Sequence, residues 1–196
     1  MNIAILKYNA GNIHSVYHAL KRLGADALIT DDKEILSKAD RIIFPGVGEA
    51  ATTMEYLKKE RLDTFIRGLK QPVLGICLGM QLLCRHSEEG DTQGIGIFPI
   101  EVRKFKAGLQ KEKIPHVGWN SLAHLQGELF NGLHDGIYAY FVHSYYVPVN
   151  EYATAQTEYI QPFSAAIRKD NFHATQFHPE KSGSIGEKIL ENFLAI

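Results

Sequence analysis

Cys77 stands in the run Val73-Leu74-Gly75-Ile76-Cys77-Leu78-Gly79-Met80-Gln81, where an apolar stretch ends in a thiol with glycine two positions before and two after it. A nucleophile elbow needs that spacing, because strand and helix approach at a sharp angle and residues without a Cβ leave them room. A cysteine at the start of a helix also gains chemically. The unpaired N–H groups and partial positive charge there favour thiolate and can hold an oxyanion. The alternative is a cysteine that fills space as a small buried hydrophobe. Cys84, beside Leu82 and Leu83 on an apolar helix face with no flanking glycine, is read that way.

Gln176-Phe177-His178-Pro179-Glu180 supplies a base and an orienter. A histidine at a strand end can take a thiol proton, a carboxylate two residues later can hold its ring, and the proline between them stiffens the backbone. His143, in Tyr140-Phe141-Val142-His143-Ser144-Tyr145, and His116 compete for the role, but no carboxylate follows either closely, and both are read as hydrogen-bonded structural residues. His14 and His18 have the i, i+4 spacing of a metal pair without an adjacent glutamate or third ligand, so no metal site is expected. Pro45-Gly46-Val47-Gly48 is the third chemical feature. Its two glycines let main-chain amides turn toward a substrate as an oxyanion hole, the alternative being a plain strand-to-helix turn.

Alternating strands and helices must carry these groups. Strands are predicted at Asn2 to Leu6, Ala27 to Thr30, Arg41 to Phe44 and Val73 to Ile76. Helices are predicted from Ile13 to Leu23, Lys33 to Ser37, near Ala50 onward, Leu57 to Leu69 and Leu78 to Arg85. That order argues for a mostly parallel sheet with helices on both faces, in which ligands bind at the carboxyl ends of the strands. The turns bearing Asn12, Gly46 to Gly48 and Cys77 all leave such ends. Past Glu89 the grammar changes. Short segments around Ile97, Val102, Val117 and Tyr138 to Val142 suggest additional antiparallel strands, Asp170-Asn171 signals a hairpin, and Ser184 to Leu194 is a terminal helix with Ser182 or Ser184 as its cap.

The chain has 196 residues, 45% apolar and 22% charged, with a net charge of −1. Such a length suits one domain over 1–196, and such a balance excludes a nucleic-acid or membrane-surface partner recognised by bulk charge. Two cysteines, one of them in a catalytic setting, point to a reducing cytosol. The N-terminus reads as strand and not as a signal peptide, and no stretch reaches membrane-spanning length.

Over its whole length the sequence resembles the class I, triad-type glutamine amidotransferases, through Gly75-Ile76-Cys77-Leu78-Gly79-Met80-Gln81 and Phe177-His178-Pro179-Glu180. The resemblance implies an α/β, flavodoxin-like fold. It also implies that Cys77 attacks the side-chain amide of L-glutamine, that His178 shuttles the proton to the leaving ammonia, and that Glu180 holds His178. Leu78 N–H and an amide from Val47 or Gly48 would stabilise the oxyanion, with Gly46, Gln81, Ser144 and Tyr145 holding the glutamine. No cofactor is implied.

Tyr8 to Ser15, Pro45-Gly46-Val47-Gly48, Pro115-His116-Val117-Gly118-Trp119-Asn120 and Phe141-Val142-His143-Ser144-Tyr145 are similar to the branch of the family that serves histidine biosynthesis. Asn9 departs from the glycine usual there, and Asn tolerates a left-handed backbone. In that branch ammonia passes to a separate (β/α)8-barrel cyclase subunit, which makes imidazole glycerol phosphate and an aminoimidazole carboxamide ribotide. A heterodimer with such a barrel is implied, because about 250 further residues have no place in this chain. Asn12, Trp119, Tyr138 and Lys181 are the interface candidates by family position, with Trp119 as core and Lys181 as a solvated charge the alternatives. Rival functions are a glutaminase for another synthase, such as a sugar-amidating paralogue, and a non-catalytic regulatory subunit.

Overall fold

The computed structural model describes residues 1–8, 13–107 and 112–196. A seven-stranded sheet organises it. Five strands run parallel in its body: β1 (Ile3–Leu6), β2 (Ala27–Thr30), β3 (Arg41–Phe44), β4 (Val73–Ile76) and β13 (Phe172–Thr175). β11 (Ala153–Glu158) and β12 (Pro162–Lys169) extend one edge antiparallel, in the order β11-β12-β13-β4-β3-β1-β2. β1, β3 and β4 are near-continuous apolar runs because both of their faces are covered. Ile3 and Ile5 pack on one side with Val16 and Leu20 of α1 (Ile13–Arg22) and Ile189 and Phe193 of α6 (Gly183–Ala195). Ala4 and Leu6 face the other core, with Leu36 of α2 (Lys33–Lys38), Met54 and Leu57 of α3 (Ala50–Lys59) and Leu62 and Ile66 of α4 (Leu62–Arg67). Each fully buried side chain of this size contributes about 1.5–3 kcal/mol.

Two expected helices are cut short, each for a physical reason. The run from Leu57 to Leu69 breaks at Arg61, whose left-handed φ of 54° ends one helix and starts the next. Leu57, Leu62, Ile66 and Leu69 bury into one core across the break, so apolar spacing alone continues through it. The helix after Cys77, α5, spans Leu78–Leu83 and does not reach Arg85. The Leu82 and Leu83 carbonyls accept instead from Ile95 and Ile97 N–H at 2.7 and 2.9 Å, and Cys84 begins strand β5 (Cys84–Ser87). Cys84 is therefore buried as expected, but on a strand.

β5 joins β6 (Thr92–Gln93), β7 (Phe98–Lys104) and β10 (Tyr145–Tyr146) in a second sheet, and β8 (His116–Ser121) pairs antiparallel with β9 (Tyr138–His143). The mixed second half thus follows expectation, except that β13 returns to the main sheet parallel to β4. The hairpin at Asp170-Asn171 forms, with Asp170 at φ 52°. Ser182 precedes α6 without capping it, since its Oγ donates to His178 O and accepts from Tyr140 N. Among the described residues no helix is long and apolar enough to cross a membrane.

Candidate active site

Parallel registry assembles the site. β4 is flanked by β3 and β13, with Gly75 opposite Phe44 and Ile76 opposite Thr175. The residues that follow these three strands, Pro45 to Gly48, Cys77, and Gln176 to His178, therefore emerge together at one edge. Cys77 N–H donates to Thr175 O at 2.7 Å, tying the elbow to β13.

Cys77 has φ 53° and ψ −106°, a strained conformation for a residue with a side chain that costs on the order of 1–3 kcal/mol. Close packing maintains it. A Cβ on Gly79 would lie 2.0 Å from Phe44 O, and one on Gly75 2.9 Å from Leu83 Cδ1. The predicted glycine spacing is thus the condition for seating α5 on β3.

His178 is fully buried, and its Nδ1 lies 2.8 Å from Glu180 Oε1. A carboxylate accepts, so Nδ1 donates and the neutral ring presents Nε2 as a base. That Nε2 is buried and, among the described residues, interacts with the Cys77 sulfur and has no other partner. Burial alone would lower the pKa of His178. Its interactions with Cys77 and Glu180 outweigh burial and raise it well above the ordinary imidazole range. Such a site can take a thiol proton and keep it beside the sulfur.

The expected oxyanion groups are near but engaged differently. Leu78 N–H donates to Gly46 O at 3.3 Å, so the Gly46–Val47 peptide presents its carbonyl to α5. Tyr8 Oη donates to Pro45 O beneath the loop. A Cβ on Gly46 would meet Leu78 Cβ and Tyr8 Oη, each at 2.7 Å, and Gly48 holds φ 137°, which only glycine adopts freely.

A cleft of about 310 Å³ opens over Cys77, bounded by Val47, Gly48, Gln81, Glu89, Ser144 and Tyr145. Its volume is at the small end of ligand sites, which run from roughly 300 to 1,000 Å³. Gln81, Ser144 and Tyr145 were expected there; Glu89 was missed. Its Oε2 accepts from Ala50 N–H at 3.0 Å, and burial raises its pKa. Glu89 lies 12 residues past Cys77, just before the glycines Gly90, Gly94 and Gly96, where no spacing rule marks it.

His143 and His116 are hydrogen-bonded to each other. His143 Nδ1 donates to Tyr145 O at 2.7 Å, which leaves its Nε2 to accept from His116 Nδ1 at 3.0 Å. Burial pushes their pKa values down to about 3 for His143 and about 4 for His116. His14 and His18 are exposed on α1.

Of the four interface candidates, Asn12 lies outside the described residues, as does Asn9. The others cluster. Trp119 and Tyr138 are each 57% exposed on the outer face of the β8–β9 ladder, so Trp119 is not core. Trp119 packs edge-on against Tyr140, and Lys181 Nζ sits 5.9 Å from the centre of the same ring.

The chain matches the family model described as "Glutamine amidotransferase class-I" over residues 4–196. A Bacteroides fragilis (strain YCH46) protein named "Imidazole glycerol phosphate synthase subunit HisH" is 60% identical over 196 residues, 100% of both chains. A Bacteroides thetaiotaomicron protein of the same name is 58% identical over 194 residues, 99% of each. The crystal structure of a glutamine amidotransferase from Thermotoga maritima matches with a TM-score of 0.67 at 17% identity. The match covers 100% of this chain and 83% of that one, a likeness of fold alone.

Proposed function

The chain belongs to the class I glutamine amidotransferase family, and we propose that it is the glutaminase subunit of an imidazole glycerol phosphate synthase, acting as one catalytic domain over 1–196. Full-length identity of 58–60% to proteins of that name supports the assignment. The chemistry is carried by one observation, the buried His178–Glu180 pair set beside Cys77 at the ends of β13 and β4.

In this reading Cys77 Sγ, deprotonated by His178, attacks the side-chain amide carbon of glutamine. His178 then gives its proton to the departing nitrogen, which leaves as ammonia, and a thioester remains. Water, deprotonated by His178, hydrolyses it to glutamate and restores the thiol. Glu180 holds the tautomer and balances the imidazolium. Glu89, a carboxylate at the cleft wall, suits the α-ammonium group of glutamine, and Ser144 and Tyr145 line the same cleft. Leu78 N–H and Val47 or Gly48 N–H would hold the oxyanion once Gly46 O turns away.

Ammonia would pass to a (β/α)8 cyclase subunit docked on the face of Trp119, Tyr138 and Lys181, as a heterodimer in the cytosol. Cys77→Ala in the complex tests the assignment. Glutamine-dependent synthesis of imidazole glycerol phosphate should vanish while ammonia-dependent synthesis persists, because added ammonia bypasses the thioester. Loss of both would make Cys77 structural, and failure to support this synthase at all would move the chain to another amidotransferase.

A further inference from the structure

Gln176 is fully buried, and its Nε2 lies 3.7 Å from Cys77 Sγ, within reach of an N–H···S hydrogen bond. Its partners fix which end of the amide faces the sulfur. Tyr145 O is a carbonyl and can only accept, so Gln81 must turn its amide nitrogen toward it, at 3.0 Å. The same Gln81 Nε2 donates to Gln176 Oε1, also at 3.0 Å. With its oxygen occupied in this way, Gln176 presents an N–H to sulfur. The Tyr145 carbonyl is held in turn by His143 Nδ1, backed by His116. Every donor in the series His116, His143, Gln81, Gln176 therefore has its direction set, and the series ends at the nucleophile.

We propose that Gln176 is a positioning residue for the Cys77 thiolate, its amide polarised toward sulfur by Gln81 and the Tyr145 carbonyl. This rests on Cys77 being the nucleophile. The contact acts against another, since Cys77 Sγ also lies 3.8 Å from Val142 O, which accepts from a thiol but repels a thiolate. Gln176 faces the sulfur with a donor, which favours the charged form; His178 serves it as base and cation. A glutamine that served packing alone could satisfy Gln81 with its oxygen and would leave sulfur chemistry unchanged when the nitrogen is lost.

The experiment is alkylation of Cys77 by iodoacetamide across pH in the full chain, read by mass on the Cys77 peptide, beside glutaminase turnover in the complex. Gln176→Glu keeps the volume and the acceptor for Gln81 but loses the donor. Gln176→Met removes both polar ends without adding charge. Loss of one charge-assisted hydrogen bond should slow alkylation at neutral pH about tenfold in Gln176→Met. The loss should be greater in Gln176→Glu, with the profile displaced to higher pH in both and turnover falling in step. A folded variant of either kind that alkylates with the wild-type profile would overturn the proposal. Cys77→Ala with retained glutaminase activity would instead remove the nucleophile assignment, an outcome the alkylation profile does not depend on.

Discussion

The carbonyl oxygen of Gly46 accepts a hydrogen bond from the Leu78 amide at 3.3 Å, so the first donor of α5 is occupied by the chain itself. In a trans peptide the carbonyl and the following N–H point in opposite directions. Rotation of the Gly46–Val47 peptide would therefore free Leu78 N–H and bring Val47 N–H toward the site together.

That coupling predicts a poor glutaminase in isolation and activation by the proposed cyclase subunit with its nucleotide bound. One absent oxyanion donor costs about 10²–10³ in turnover, and a partner can restore it only by binding the rotated loop more tightly. Steady-state glutamate release should rise from free chain to complex to nucleotide-bound complex. Equal rates in all three would sink the gating. Val47→Pro, lacking the N–H, should reduce the activated rate by about 10²–10³.

Glu180→Gln should impair glutamine hydrolysis less than His178→Ala, by on the order of tenfold or more, because the carboxylate orients the base and transfers no proton. Comparison of kcat in the complex checks this. Equal losses would put Glu180 in proton transfer or in the fold.

Gly79→Ala places a Cβ 2.0 Å from Phe44 O, between α5 and β3. Backbone must move, at a cost of about 3 kcal/mol, and the elbow should lose its geometry. Gly24→Ala meets nothing within 4 Å among the described residues, and its strain comes from φ 73°, about 1–2 kcal/mol. Urea unfolding of the two variants should separate them in that order, and equal stabilities would contradict the packing argument.

His116, His143 and His173 are held neutral by burial, with pKa values lowered to about 4, 3 and 4. Their unfolded-state pKa is near 6.5, so below that pH the unfolded chain binds more protons than the folded one. Stability is fully present above about pH 6.5 and is lost as pH falls toward 4, by about 1.4 kcal/mol per pH unit for each ring. Urea midpoints that stay flat over this window would refute it.

Local sequence marked Cys77, His178 and Glu180 as the proposed nucleophile, base and orienter, and marked the strands that deliver them. Glycine two residues either side of Cys77 and a proline between His178 and Glu180 are local steric requirements, and the apolar runs of β1, β3 and β4 follow from burial on both faces. The expected histidine-biosynthesis branch agrees with the names of the full-length relatives. Tertiary structure decided the rest. α5 stops at Leu83 because Ile95 and Ile97, distant in sequence, take the carbonyls that another helical turn would use. Glu89 reaches the cleft only because its loop packs on the start of α3. Gln176 lies beside Cys77, 99 residues away, because β13 enters the sheet parallel to β4 in one register. The direction of its amide depends on a carbonyl from a third segment. Periodicity carries neither kind of information, since registry and hydrogen-bond polarity arise only when distant segments satisfy each other's buried donors and acceptors.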